Sequence, residues 1–257
     1  MTKHFLSIVA IFKNESHILK EWLDHYLAEG VDHFWLIDNG STDGFENILR
    51  SYGDLVTLIK DPRSHIQVQA YNEFIPTIRD QTEWLFICDL DEFAYAKNGT
   101  LADFLRPLPK YVNGVRLPWV MFGSSGHIQQ PSSVIDGFRK RKDYKESVVI
   151  NTKSIVRPQE VDSFHIHVHA IRNWVVVDGR GKSVCNECRG EIDEGYIRDA
   201  TLLMNHYRIQ SREWFLSVKY KRGTGHTSRS MDGYFMENDY NDLVDDTLAV
   251  KRGFIAS

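Results

Sequence analysis

The residues with the most pronounced chemical character are Asp89-Leu90-Asp91, two carboxylates one residue apart behind the apolar run Trp84-Leu85-Phe86-Ile87-Cys88. Strand alternation through that run puts both acids on one side and Leu90 on the other. Neighbouring carboxylates repel each other unless a cation lies beside them. A hard divalent ion answers that need and keeps positions open for substrate phosphates. The alternative is two acids that simply end a strand and begin a turn. Two further polar clusters follow apolar runs: Lys13-Asn14-Glu15, and Asp38-Asn39-Gly40-Ser41-Thr42-Asp43-Gly44. The Asp38 carboxylate can accept hydrogen bonds from a uracil or ribose. It also suits a turn, since Asn-Gly and Asp-Gly are turn dipeptides.

These clusters need elements to hold them. Residues 5–12 form a compact apolar run, the pattern of a buried parallel strand. Over residues 16–28, Ile18, Leu19, Trp22, Leu23, Tyr26 and Leu27 recur at helical spacing. Gly30 then suits the helix C-terminus. Strands are expected at 33–37, 55–59 and 84–88, and helices around 45–52 and 67–79 despite Pro76. Such alternation predicts an open α/β fold, a mostly parallel sheet with helices on both faces. Ligands of such sheets bind outside the carboxyl ends of the strands, where all three polar clusters fall.

The second half is less regular. Strands are expected at 114–122, 147–157, 164–170 and 202–207, and a helix at 211–220 with Ser211 as its N-cap. In 164–170, His165, His167 and His169 alternate with apolar residues, which puts all three on one strand face. Residues 223–230 are rich in glycine and hydroxyl side chains. They read either as a surface loop or as a lid over phosphates using Arg222, His226 or Arg229. No repeat or linker divides residues 1–257, so a single domain is expected.

Composition narrows the function. A chain of 257 residues, 42% hydrophobic, can bury one full α/β core. A net charge of −4 argues against a nucleic-acid partner. The basic run Arg139-Lys140-Arg141-Lys142 reads as a solvated loop or strand edge, or else as a phosphate contact. Three cysteines give no disulfide framework and favour a reducing, cytoplasmic setting. The N-terminal apolar run is short and is interrupted by Ser7, so it reads as a strand and not a signal peptide. No segment approaches the roughly 20 apolar residues that span a bilayer; peripheral membrane association stays open.

Taken in order, Val9-Ala10-Ile11-Phe12-Lys13-Asn14-Glu15, Leu36-Ile37-Asp38-Asn39-Gly40-Ser41-Thr42-Asp43-Gly44 and Asp89-Leu90-Asp91-Glu92-Phe93 resemble the family-2-type glycosyltransferases of the GT-A fold. The family-92 branch is the nearer likeness. It extends to Trp119-Val120-Met121-Phe122-Gly123-Ser124-Ser125-Gly126-His127, Lys153-Ser154-Ile155-Val156-Arg157-Pro158 and Asn205-His206-Tyr207, followed by Ser211 and Lys219. The resemblance covers roughly residues 4 to 225. It implies a nucleotide-sugar-binding half at 1–110 and an acceptor-side half at 111–257. It implies a nucleotide-sugar donor, a hydroxyl acceptor on a glycan, and Mn²⁺ or Mg²⁺. Asp38 would contact uridine, with Ile11, Lys13, Asn14 and Glu15 shaping the nucleotide pocket. Asp89 and Leu90 would lie near the ribose, and Gln69 and Asn72 near the diphosphate. Asp89, Asp91 and His206 would hold the metal.

The implied reaction is inverting, and its acceptor hydroxyl needs a base within hydrogen-bond reach. Glu92, His127 and Asp162 are the preferred candidates, with the three histidines behind them; Asp91 belongs to the same catalytic group. Trp119, Ser124 and Ser125 are the candidate acceptor contacts. Three other readings compete. Cys185 and Cys188 with the histidines could hold zinc, although the order of ligands matches no familiar spacing. The fold could bind sugar nucleotides without turnover, which intact Asp89, Asp91 and His206 oppose. A nucleotidyltransferase would carry a glycine-rich basic loop where Lys13-Asn14-Glu15 stands.

Overall fold

The computed structural model describes residues 3–64, 66–185, 189–221 and 230–255. Its strands are β1 (His4–Phe12), β2 (His33–Asp38), β3 (Val56–Lys60), β4 (Thr82–Ile87), β5 (Glu92–Ala96), β6 (Gly114–Met121) and β7 (Lys140–Arg141). After these come β8 (Val148–Val156), β9 (Val161–Ser163), β10 (Ala170–Ile171), β11 (Val176–Asp178), β12 (Ser183–Val184), β13 (Arg189–Ile192), β14 (Leu202–His206) and β15 (Leu243–Val244). The main sheet runs β12-β11-β6-β8-β4-β1-β2-β3. Strands β1, β2, β3 and β4 are mutually parallel, and β8 enters antiparallel between β4 and β6.

Alternation along β1 explains the two-sided core. Leu6, Ile8, Ala10 and Phe12 join one buried cluster with helix α1 (Ser16–Ala28). Val9 faces the other cluster, with Trp35, Ile37, Leu85 and Ile87. Against that face lies α3 (Gln67–Ile78), which follows the short α2 (Glu46–Leu49) and buries Ala70, Tyr71, Ile75 and Ile78. Burial of each isoleucine contributes roughly 1.5–3 kcal/mol. Helix α1 stops as expected at Gly30, whose φ is +87°. There Val31 N–H donates to Tyr26 O and Gly30 N–H to Leu27 O, a Schellman closure. Pro76 lies two residues before the end of α3, so the turn it disrupts is the last one.

Two expectations are corrected. The histidine-bearing segment is not a strand: 164–169 is an irregular connection between β9 and β10. Asn72 holds it there, its side-chain amide donating to Phe164 O at 2.7 Å and its Oδ1 accepting from Phe164 N at 2.9 Å. The three histidines consequently part company: His165 is exposed, His167 half-buried and His169 buried. The second correction is that the 211–220 helix is only a short α-turn, Arg212–Trp214, which widens into a π-helical turn at Phe215–Lys219. Ser211 does cap it, its hydroxyl accepting from Trp214 N at 3.2 Å.

His169 supplies a pH prediction. Its Nδ1 accepts from the His165 amide at 3.2 Å, so the ring is neutral there. Burial, with Lys153 adding to it, pushes its pKa down to about 3. The unfolded ring takes a proton near pH 6.5 and the folded ring does not, so stability is full above 6.5 and falls as pH drops toward 3. The contribution reaches about 1.4 kcal/mol per pH unit. Urea unfolding of wild type and His169→Gln between pH 7 and 5 should differ in slope by that amount, with wild type the steeper. An equally steep fall in the variant would rule His169 out as its source.

Candidate active site

Strand β4 ends at Ile87, so Asp89, Leu90 and Asp91 occupy the turn into β5 and not a strand end. Helix α1 pins this turn. Trp22 Nε1 donates to the carbonyls of Asp89 and Glu92, each at 3.2 Å, and the Tyr26 hydroxyl donates to Glu92 O at 3.1 Å. Strand β14 completes it by pairing with both β5 and β6, which sets His206 opposite Glu92 and Met121. Tyr207 N–H donates to Asp91 O at 2.8 Å. A residue 115 positions downstream is thus fixed beside Asp91 by sheet register alone.

The turn sends its two acids to different partners. Asp89 Oδ2 meets Lys153 Nζ at 3.0 Å, and its Oδ1 accepts from Gln67 Nε2 at 3.1 Å. Asp91 Oδ1 lies 3.5 Å from His206 Nε2, and its Oδ2 is held by Lys219. Burial works against ionising Asp91, but Lys219 and His206 outweigh it and hold the carboxyl well below its ordinary range. Burial keeps His206 below its ordinary range, with Asp91 opposing. Lys153 comes from β8 with its side chain 1% exposed, and it lies between Asp89 and Glu92. Glu92 Oε1 accepts from Trp119 Nε1 at 2.8 Å, and its Oε2 accepts from Asp89 N at 2.9 Å. Burial raises the Glu92 carboxyl to about 8, against the pull of Lys153 and with help from Asp89 and Asp91.

Asp89, Asp91, His206 and Lys219 face a cleft of about 430 Å³ at the carboxyl ends of the parallel strands, while Glu92 and Lys153 lie buried beneath it. Of the residues read from sequence, Ile11, Lys13, Glu15, Asp89, Asp91, Trp119 and His206 line it. Asp38 is buried behind it, its Oδ1 accepting from Ser41 N at 2.8 Å. Asn14, at φ +53°, ties the first two polar loops together by accepting from Thr42 N at 2.8 Å. Leu90 is core. Gln69 points to Glu73 on the surface, and Asn72 is spent on Phe164. Ser124 and Ser125 receive Asp239 and Asn241, and neither lines the cleft. His127 bonds Gly137 O at 3.0 Å, and Asp162 is exposed beside Arg172. Cys188 and residues 222–229 lie outside the described residues, and with them the second cysteine of the zinc pair and the basic side chains of the candidate lid. The basic run is largely structural at Arg141, which is buried and paired with Glu194 and Asp245. A larger cavity of about 740 Å³ beside Lys97 and Arg141 contains none of the candidate donor, metal, acceptor or base residues.

Residues the sequence reading assigned no role also line the cleft: Gln67, Arg208, Lys219 and Tyr234. Gln67 lies one helical turn before Tyr71 and two residues from the position chosen, a register choice that periodicity could have made differently. No sequence signal marks Lys153 as buried, because only the sheet order brings β8 beside β4.

Metal fit rests on Asp91 and His206. Their facing atoms, 3.5 Å apart, are close enough for one ion to touch both. A carboxylate and a neutral imidazole suit Mn²⁺, leaving positions for phosphate oxygens and water. Asp89 is engaged elsewhere, and no group of three or more His, Cys, Asp or Glu side chains converges among the described residues.

A family model described as "Glycosyltransferase family 92" matches residues 5–238, which makes the class a glycosyltransferase. Family 92 proteins of Oryza sativa subsp. japonica and Ricinus communis are 28% and 27% identical over 219 and 227 residues, 82% and 85% of this chain. The chain belongs to glycosyltransferase family 92. It spans only 34% and 38% of the length of those two relatives. Glucosyl-3-phosphoglycerate synthase of Mycobacterium tuberculosis, in complex with Mn²⁺, UDP and glucosyl-3-phosphoglycerate, is 17% identical. The likeness covers 45% of this chain and 44% of that one; its TM-score of 0.31 adds nothing to the assignment. Among the described residues no helix is long and apolar enough to cross a membrane.

Proposed function

We propose that this domain moves a sugar from a uridine-diphosphate sugar to a glycan hydroxyl, with inversion and with a divalent metal bound. The reading is supported most by one arrangement: Asp91, His206 and Lys219 meet in the cleft that Lys13 and Asn39 also line. Residues 1–110 would carry the donor and 111–257 would complete the acceptor side. Asp91 and His206 would hold Mn²⁺ or Mg²⁺, which as a Lewis acid stabilises charge on the departing diphosphate. The Asp38 turn and the Lys13-Asn14-Glu15 loop would hold the nucleoside. In an inverting displacement the acceptor oxygen bonds to the anomeric carbon as the bond to phosphate breaks, and one base removes the hydroxyl proton. His167 is the base candidate that lines the cleft, 5.0 Å edge-to-face from Trp119. Burial and Lys153 lower its pKa to about 4, so it is neutral and able to accept a proton at pH 7.

A thermal-shift screen of nucleotide sugars tests the reading. Stabilisation should need both Mn²⁺ and a uridine-diphosphate sugar. No shift with any nucleoside-diphosphate sugar would sink it. His167→Ala should slow transfer roughly 10²- to 10⁴-fold while leaving the Mn²⁺–UDP shift intact. Transfer within tenfold of wild type would remove His167 from the role.

A further inference from the structure

Asp91 has two carboxylate oxygens, and side chains of the protein occupy both. His206 faces Oδ1 and the Lys219 ammonium holds Oδ2, with the aspartate side chain only 5% exposed. Lys219 closes the π-helical turn Phe215–Lys219, and its ammonium lies 5.6 Å from the centre of the Trp214 ring. π-Helical turns of this kind recur at functional sites. A divalent ion held between Asp91 Oδ1 and His206 would lie only a carboxylate's width from this ammonium on Oδ2. Two cations at contact distance from one carboxylate repel each other by more than a shared oxygen returns, most of all in a site that water barely reaches. The lysine stem is long and flexible, and it already lines the cleft. Once displaced, the ammonium stays in the cleft, and the anion that can receive it is the diphosphate of the donor.

We propose that Lys219 is a built-in counter-ion of Asp91, one that competes with the divalent metal and passes to the diphosphate when the donor arrives. The proposal rests on the donor and metal reading above. Metal alone then binds weakly, because it must evict a lysine with nowhere to go. Metal with nucleotide binds well, because the evicted lysine gains a partner. Lys219 thereby adds to the coupling between the two ligands, beyond what direct contact of metal and phosphate gives.

The test is Mn²⁺ binding to the whole chain, read by electron paramagnetic resonance of unbound Mn²⁺, with and without UDP. Lys219→Met should bind Mn²⁺ alone about tenfold more tightly than wild type, and UDP should then improve that binding by about tenfold less. Lys219→Gln should behave as Lys219→Met, and it guards against a folding defect in the apolar variant. Lys219→Arg should keep the wild-type pattern. Mn²⁺ affinity in the Met and Gln variants equal to or weaker than wild type overturns this proposal while leaving the metal-dependent transferase reading in place. Failure of wild type to bind Mn²⁺ even with UDP overturns both.

Discussion

Asp91→Asn should lower sugar transfer by about 10²- to 10³-fold, with the loss in kcat and in Mn²⁺ binding together. The substitution keeps the shape of the side chain and the backbone bond from Tyr207 N–H to Asp91 O. What it removes is the charge shared by His206 and Lys219. A neutral amide oxygen holds a hard cation more weakly than a carboxylate does, so the proposed ion that would offset leaving-group charge should be lost at working Mn²⁺ concentrations. Removing one preorganised electrostatic stabiliser costs about 3–4 kcal/mol of transition-state energy, which is the stated factor. The measurement is UDP release over a Mn²⁺ titration, beside a thermal melt. A variant that melts like wild type and responds to Mn²⁺ with unchanged activity would exclude Asp91 as a ligand. Asp89→Asn makes the contrast. Its carboxylate is already committed to Lys153 and Gln67, so Mn²⁺ affinity should change less there than at Asp91.

How much of this was legible beforehand follows from the range of each interaction. Strand β1, helix α1 and strand β2 could be read nearly to the residue, because burial on both faces of a parallel strand and on one face of a helix leaves a local apolar pattern. Gly30 could be read because a left-handed C-terminal turn has few alternatives to glycine. The Asp-x-Asp pair stood out as a site, but its geometry did not, since a turn replaced the strand alternation on which both acids shared a side. Lys153 and Lys219 went unassigned although the resemblance included both. Nothing local tells a lysine that is buried from one that is solvated; only the insertion of β8 beside β4 makes the difference. His167 reached the cleft for a reason invisible in periodicity: Asn72, on a helix 92 residues earlier, ties Phe164 out of strand geometry. Ser124 and Ser125 looked suited to a sugar, yet their amides are bonded to Asp239 and Asn241 from the C-terminal segment.

Lys153→Met destabilises the fold by about 3–5 kcal/mol at pH 7, the usual cost of removing one member of a buried ion pair. The Lys153 ammonium lies 3.0 Å from Asp89 Oδ2 and 3.4 Å from Glu92 Oε2. Without it two carboxylates remain, and Glu92 is fully buried. Asp89 can turn to water, but Glu92 cannot, so it takes a proton. Its carboxyl is already raised to about 8 with the lysine in place, and loss of the lysine raises it further. A glutamate whose folded pKa exceeds its ordinary 4.5 contributes fully below that value and loses stability as pH rises through the interval. Keeping the proton at pH 7 costs roughly 1.4 kcal/mol for each unit above 4.5, about 3 kcal/mol in all. Wild type keeps the same proton up to about pH 8, so the deficit of Lys153→Met should be flat from pH 5 to 7 and grow as pH rises through 8, where only wild type can ionise Glu92 beside the ammonium. Glu92→Gln in the same chain should recover most of the loss, because a neutral amide needs no counter-ion and can still accept from Trp119. Urea midpoints at pH 7, 8 and 9 for wild type, the two single variants and the double variant decide it. A deficit that is the same at pH 9 as at pH 7, or one that Glu92→Gln leaves untouched, would mean that Lys153 supports the cleft by packing its stem and not by balancing the charge of Glu92.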